Sequence, residues 1–302
     1  MRVTNSIITR NSQLRLQEGL QGLDRVRDDI SSGIKLRKMS DDPTSGGQVV
    51  RIGSSMRAIT QFRRNADTGI ARAQAEGSVL DQLTLTLSRA SELGVSAANG
   101  TADAQTRLNI KSEVDQLIGL AARLGNTKFG DEYLFGGHRA GEAPFTEPPP
   151  ATGTFSALTL SGNSVNPSGT ITLEVGDNKF VTPNHNGTEV FLDTDALDAL
   201  RALSDALGNN NPTAISAATA RLNVAHSNVQ ALVGTEGARV NEMEGAKALL
   251  DATEFDLKAW RSDLRDTEVD KAMIELVGKQ TLYQAAMSAT SRILGLSLSN
   301  YL

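Results

Sequence analysis

The sequence has no cysteine, so disulfides, thiolate catalysis and cysteine-type zinc sites are excluded. Aromatic residues are scarce, at 4%. A thick globular core normally uses more of them, whereas a coiled-coil seam is built from Leu, Ile, Val, Ala and Met. No apolar run approaches the length of a membrane span, and none is expected to cross a bilayer. The opening, MRVTNSIITRNSQLRL, lacks both a continuous apolar stretch and a small-residue cleavage site. It does not read as a cleaved secretory signal, so export would need a route that leaves the N-terminus intact. Charge of one sign is also missing: the net charge is −5, with acids and bases interspersed. A nucleic-acid binder would show a basic face, so neither nucleic acid nor membrane is expected as a partner.

Catalytic patterns are absent too. His138, His185 and His226 fall in three different zones, and none belongs to a spacing such as H-E-x-x-H. They read as surface or structural histidines. Gly46-Gly47 and Gly136-Gly137 fit no phosphate loop, and no G-x-S-x-G elbow occurs. Asp41-Asp42 stands before Pro43, where adjacent acids mark a helix start rather than a carboxylate pair. Arg63-Arg64 reads as a solvated face or an intersubunit ion pair. No catalytic residue, metal or cofactor is expected.

What is present is helical periodicity. Six of the eight prolines lie within residues 139–196, which divides the chain into helical arm, non-helical insert and helical arm. The first arm carries Val3, Ile7 and Leu14, then Leu16, Leu20, Leu23, Ile30 and Ile34 on one helical face. Ser31-Ser32-Gly33 ends that helix, with Gly33 supplying the left-handed residue. Asp42 caps a second helix with Pro43 at its first position, and Asn99-Gly100 stops it. A third helix spans about 102–124, capped by Thr101 or Asp103.

Phe129–Phe145 concentrates aromatics and glycines and predicts a hairpin near 128–145. Strands are expected at 155–160, 170–175, 179–181 and 188–192, with turns at 176–178 and 186–187. Helix resumes near Asp195 and again at Asn211-Pro212, and the apolar pattern barely pauses from there to the end. In the last stretch Val269, Met273, Leu276, Tyr283, Met287 and Leu294 form one stripe. Ile274, Val277, Ala285, Ala289, Ile293 and Leu296 form another, and Leu298 follows. Two stripes on one helix call for two neighbours.

Ordering a residue costs roughly 1–2 kcal/mol, and a fully buried Leu, Ile or Val returns about 1.5–3 kcal/mol. A single terminal helix pair therefore about breaks even, and its ends are expected to fold firmly only on assembly. The expected fold is mainly α: a long helical-bundle or coiled-coil rod formed by both arms, carrying a small β-rich insert. The expected divisions are 1–40 with 265–302 as a terminal domain, 41–140 with 197–264 as a helical rod, and 141–196 as the outer insert.

The residues that end one helix and open the next, Ser31-Ser32-Gly33 and Ser40-Asp41-Asp42-Pro43, resemble the N-terminal signature of the flagellin superfamily. Tyr133-Leu134-Phe135-Gly136-Gly137 with Pro144-Phe145, and the tail from Gln284 to Leu302, are similar to its hook–filament junction branch. Arg37 and Met39 stand where that family often has Asn and Pro, and Ser299 and Asn300 where Leu and Asp are usual.

The resemblance implies a structural, self-assembling extracellular subunit, needed for motility and exported through the flagellar channel. Its implied partners are a ring of its own copies, a neighbouring hook-junction protein, flagellin, and a cytoplasmic chaperone on the C-terminal helix. Two alternatives stay open: flagellin itself, the filament subunit, or an adhesive surface protein acting through the insert.

Overall fold

The computed structural model describes residues 2–100, 102–145 and 169–299. Its main elements are helices α1 (Arg2–Ser32), α2 (Pro43–Ala98), α3 (Ala104–Gly125), α4 (Ala196–Gly208), α5 (Pro212–Arg265) and α6 (Val269–Ser299). The strands are β1 (Lys128–Phe129), β2 (Glu132–Tyr133), β3 (Leu173–Gly176) and β4 (Lys179–Val181). The fold is mainly α. Two compact units result: Met1–Arg57 with Thr253–Leu302, and Ala58–Ala252.

Helix boundaries follow local chemistry. Gly33 has φ +69° and closes α1, a conformation that costs little only without a Cβ. The Asp42 carboxylate accepts from the Thr44 and Ser45 amides at 3.0 and 3.2 Å and opens α2. Hydrogen bonds from the Ser45 side chain first, then from its amide and that of Thr44, hold the Asp42 pKa below the ordinary carboxylate value. Asp103 caps α3 by accepting from the Thr106 amide at 2.7 Å, and Thr101, the other candidate, lies outside the described residues. Asn211 caps α5 through the Thr213 and Ala214 amides, each at 3.1 Å.

In the second unit, α5 lies along α2. A Cβ on Gly69 would come within 2.6 Å of the Met243 sulfur, and one on Gly94 would collide with the Thr219 hydroxyl. Ser91 donates to Asn223 at 2.7 Å across the same pair. Leu80, Leu83, Leu87 and Ala90 of α2 share one core with Ile118 of α3, Leu200, Leu203 and Leu207 of α4, and Ile215, Leu222 and Val229 of α5. Arg107 clamps the end of α2, donating to the Ala97 and Asn99 carbonyls at 3.0 and 3.3 Å, the place where a cation complements the helix dipole.

Three buried phenylalanines close this core. Phe191 meets Phe135 edge-on at 5.3 Å and Phe145 at 5.1 Å. The Asn126 side chain clips the Phe145 backbone with bonds of 2.8 and 2.9 Å. Gly125 must be glycine-small, because a Cβ there would lie 2.5 Å from the Phe145 ring.

Two expectations need correction. Residues 188–192 are not a strand. Asn186 and Glu189 exchange bonds, the Glu189 amide to the Asn186 side chain at 2.9 Å and the Asn186 amide to the Glu189 carboxylate at 3.2 Å. That capping box starts a wide helical turn, Thr188–Leu192, in which the Asp193 amide donates to the Thr188 carbonyl at 2.8 Å. The helical pattern also breaks at 266–268. There the Thr267 amide and hydroxyl leave the helix to donate to the carbonyls of Gly33 and Asp29, at 2.9 and 3.0 Å.

In the described part of the insert, extended structure is the antiparallel pair β3–β4, turned at Asn178 with φ 55°. The strand expected at 155–160 lies outside the described residues. Phe191→Ala should lower the stability of the second unit by about 3–5 kcal/mol in a urea titration. A loss below about 1 kcal/mol would contradict the aromatic closure.

Candidate assembly interface

In the first unit α1 and α6 run antiparallel. Gly22 lies beside Lys279, whose Nζ donates to the Gly22 carbonyl at 3.4 Å, and Gly19 approaches the Tyr283 ring at 3.4 Å. Leu23, Val26 and Ala272 are buried along this contact, and Leu16, Ile30, Leu276 and Tyr283 are half-buried. Their spacing of three and four is the helix-pair seam.

The base of the pair is stitched by backbone. Lys35 and Leu36 amides donate to the Arg265 carbonyl at 2.9 and 3.2 Å, and Ile34 pairs with Asp266 as an isolated bridge. Arg37, one of the departures from the family pattern, holds Ser32 at 2.8 Å and Asp28 at 3.3 Å. Asp41 and Asp42 do different jobs: Asp41 accepts from the Lys38 amide at 3.1 Å and pairs with Arg25 at 2.8 Å, while Asp42 caps α2.

The sequence-derived interface residues separate into two groups. Leu23 is buried and Ile30, Leu276 and Tyr283 are partly covered, all within one chain. Ile7, Leu14, Leu20, Val269, Met273 and Met287 are exposed. The second α6 stripe is more open still: Ile274 is 75% exposed and Val277 59%, with Leu282 at 71% nearby. Each such side chain is worth roughly 1.5–3 kcal/mol if another surface covers it. The side chains of Val3, Ile293, Leu294, Leu296 and Leu298 lie outside the described residues. Gly33, Asp42 and Pro43 sit at the helix ends where their residue types suggested.

The histidines differ in a way that spacing did not reveal. His138 is exposed and His226 half-buried. His185 is buried between Glu76 of α2 and Glu236 of α5, its Nδ1 2.8 Å from Glu76 Oε1 and 3.5 Å from Glu236 Oε2. Burial, and then the neighbouring Glu76 charge, push the Glu236 carboxyl up to about 8, against the pull of Arg239. The three residues come from three separate segments, so no local motif announces them.

Two substitutions distinguish the faces of the arm. Leu23→Ala should destabilise the α1–α6 pair by about 2–5 kcal/mol and speed amide exchange in both helices. Ile274→Asp should change monomer stability by less than about 0.5 kcal/mol, and faster exchange in that variant would mean the face is already covered.

Residues 3–140 match the family described as the bacterial flagellin N-terminal helical region. The flagellar hook-associated protein 3 of Escherichia coli is 23% identical over 321 residues, covering 95% of this chain and 98% of that protein. The flagellar filament 31.3 kDa core protein of Treponema maltophilum is 26% identical over 285 residues, covering 91% of each. The crystal structure of flagellar hook-associated protein 3 from Legionella pneumophila superposes with a TM-score of 0.61 at 12% identity, over 72% of this chain and 98% of that one. The family match ends with the first arm, but the alignments continue through the insert and into the second, so that nearly the whole chain is similar to a hook-associated protein 3 and to a filament core protein.

Proposed function

We propose that this protein is the structural subunit of the flagellar hook–filament junction, assembling outside the cell through the α1–α6 pair. The observation that carries the reading is the apolar stripe Ile274, Val277 and Leu282, left uncovered on a helix whose opposite face already packs on α1. A helix buried on one side and apolar on the other needs a second neighbour. That neighbour is taken to be another subunit, a reading supported by the likeness to flagellar filament and hook-associated proteins. The near full-length likeness to hook-associated protein 3 supports the junction.

The finer reading assigns 1–40 with 265–302 to an inner tube, 41–140 with 197–264 to the next shell and 141–196 to the outer surface. Its partners are a ring of identical copies, the neighbouring junction protein on one side and flagellin on the other. An export chaperone takes the C-terminal helix before secretion, since an amphipathic helix suits an apolar groove. No catalysis is assigned to it.

Flagellin itself is the second reading, favoured by the filament core protein among the relatives. Immunolabelled flagella separate the two. A single band where hook meets filament is expected, and label along the whole filament would overturn the junction reading. Truncation after about residue 290 should leave the helices of the second unit folded by circular dichroism yet prevent incorporation. Normal swimming by cells carrying that truncation would refute the role of the α6 end, including Ile293, Leu294, Leu296 and Leu298.

A further inference from the structure

The group formed by Glu76, His185 and Glu236 has too many acceptors for its donors. Glu76 Oε2 accepts from the His185 backbone amide at 2.9 Å, which fixes the carboxylate against the imidazole. On the other side of the ring, Nε2 lies 3.3 Å from the Thr235 hydroxyl. That hydroxyl spends its one proton on the Leu232 carbonyl at 2.8 Å, so it can only accept from the ring. With that proton on Leu232 the hydroxyl suits an Nε2–H donor. Nδ1 lies 2.8 Å from Glu76 Oε1 and 3.5 Å from Glu236 Oε2, a convergence that calls for a proton or a metal cation between the ring nitrogen and the carboxyl oxygens.

Glu236 adds the second observation. Its residue is 3% exposed, it points into the group, and neither carboxylate oxygen has a hydrogen-bond partner. Arg239 Nη1 stands 3.5 Å from Glu236 Oε2, too long for a normal bond, and is itself without one. Two carboxyl groups are buried in one place beside a single guanidinium, and a buried carboxyl group left without a partner is costly in either protonation state. The place where the three ligand atoms converge suits a proton or a metal cation.

We propose that Glu76, His185 and Glu236 form a binding site for a divalent transition-metal ion, Zn2+ in first place. One imidazole with two carboxylates is a donor set that suits Zn2+, whereas Ca2+ and Mg2+ take oxygen ligands in larger number. The three ligand atoms lie within 4.8 Å of one another. Zinc bonds of about 2.0–2.2 Å place two ligands at most roughly 4 Å apart, so the side chains need only small movements to close on an ion. The Thr235 hydroxyl then serves as the partner that fixes the His185 tautomer, as metal-binding histidines require. Such an ion joins α2, α5 and the segment that follows β4, and so fastens the insert to the helices that carry it.

The test uses the full-length chain, purified without a histidine tag, stripped with chelator and titrated with ZnCl2 at about pH 8 by calorimetry. One Zn2+ per chain with Kd on the order of 1 µM or tighter is expected, with a rise in the melting temperature of the second unit. His185→Gln and Glu236→Gln should each weaken binding by at least about 100-fold. His138→Gln and His226→Gln should leave it unchanged. Absence of binding, or binding that survives His185→Gln and Glu236→Gln, overturns the proposal and leaves a shared proton as the positive charge. Should a ligand variant fail to fold, Co2+ added to the wild-type chain decides. The visible bands of a four- or five-coordinate site support the proposal, and only the weak spectrum of aqueous Co2+ overturns it.

Discussion

The second unit depends on how closely α5 can lie against α2. Gly69 and Gly94 set that approach, because any side chain there would strike Met243 or Thr219. Everything else in the unit is arranged on the resulting pair. Helices α3 and α4 fill one side with leucines, and the three phenylalanines cover the end of the shared core. Glu76 and Glu236 are brought face to face by the same approach, which is why two acids on different helices share one buried space. In water they would repel and separate; here the packing of apolar neighbours outweighs the cost of holding them together.

The first unit obeys a different constraint. Among the described residues its two helices cover each other along one thin seam, with Leu23, Val26 and Ala272 buried in it. A thin seam can hold a pair in register without sealing off both faces. The backbone stitch between 33–36 and 265–267 does what the seam alone does weakly, fixing where the pair begins. The bonds from Thr267 to Gly33 and Asp29 explain why α5 and α6 are two helices despite an apolar pattern that runs almost without pause.

Much of this was legible in the sequence because the signals were local. Gly33, Asp42-Pro43 and Asn211-Pro212 mark helix ends through chemistry confined to a few residues, and the structure puts the ends there. Thr188–Leu192 was misread because β-branched and aromatic residues outweighed the Asn186–Glu189 box that opens the turn. The buried histidine group was invisible for a deeper reason. Its members lie on three segments, and only the tertiary fold makes them neighbours. The exposed stripe of α6 was visible as periodicity, yet periodicity could not say which of the two faces α1 would take.

The clip between Asn126 and Phe145 has a thermodynamic consequence for chain length. It fixes the point at which the chain leaves the helical bundle, and β3, packed beside Ala66 and Met243, fixes the point of return. With both ends of a segment pinned, doubling its length adds only about 0.6 kcal/mol of closure entropy.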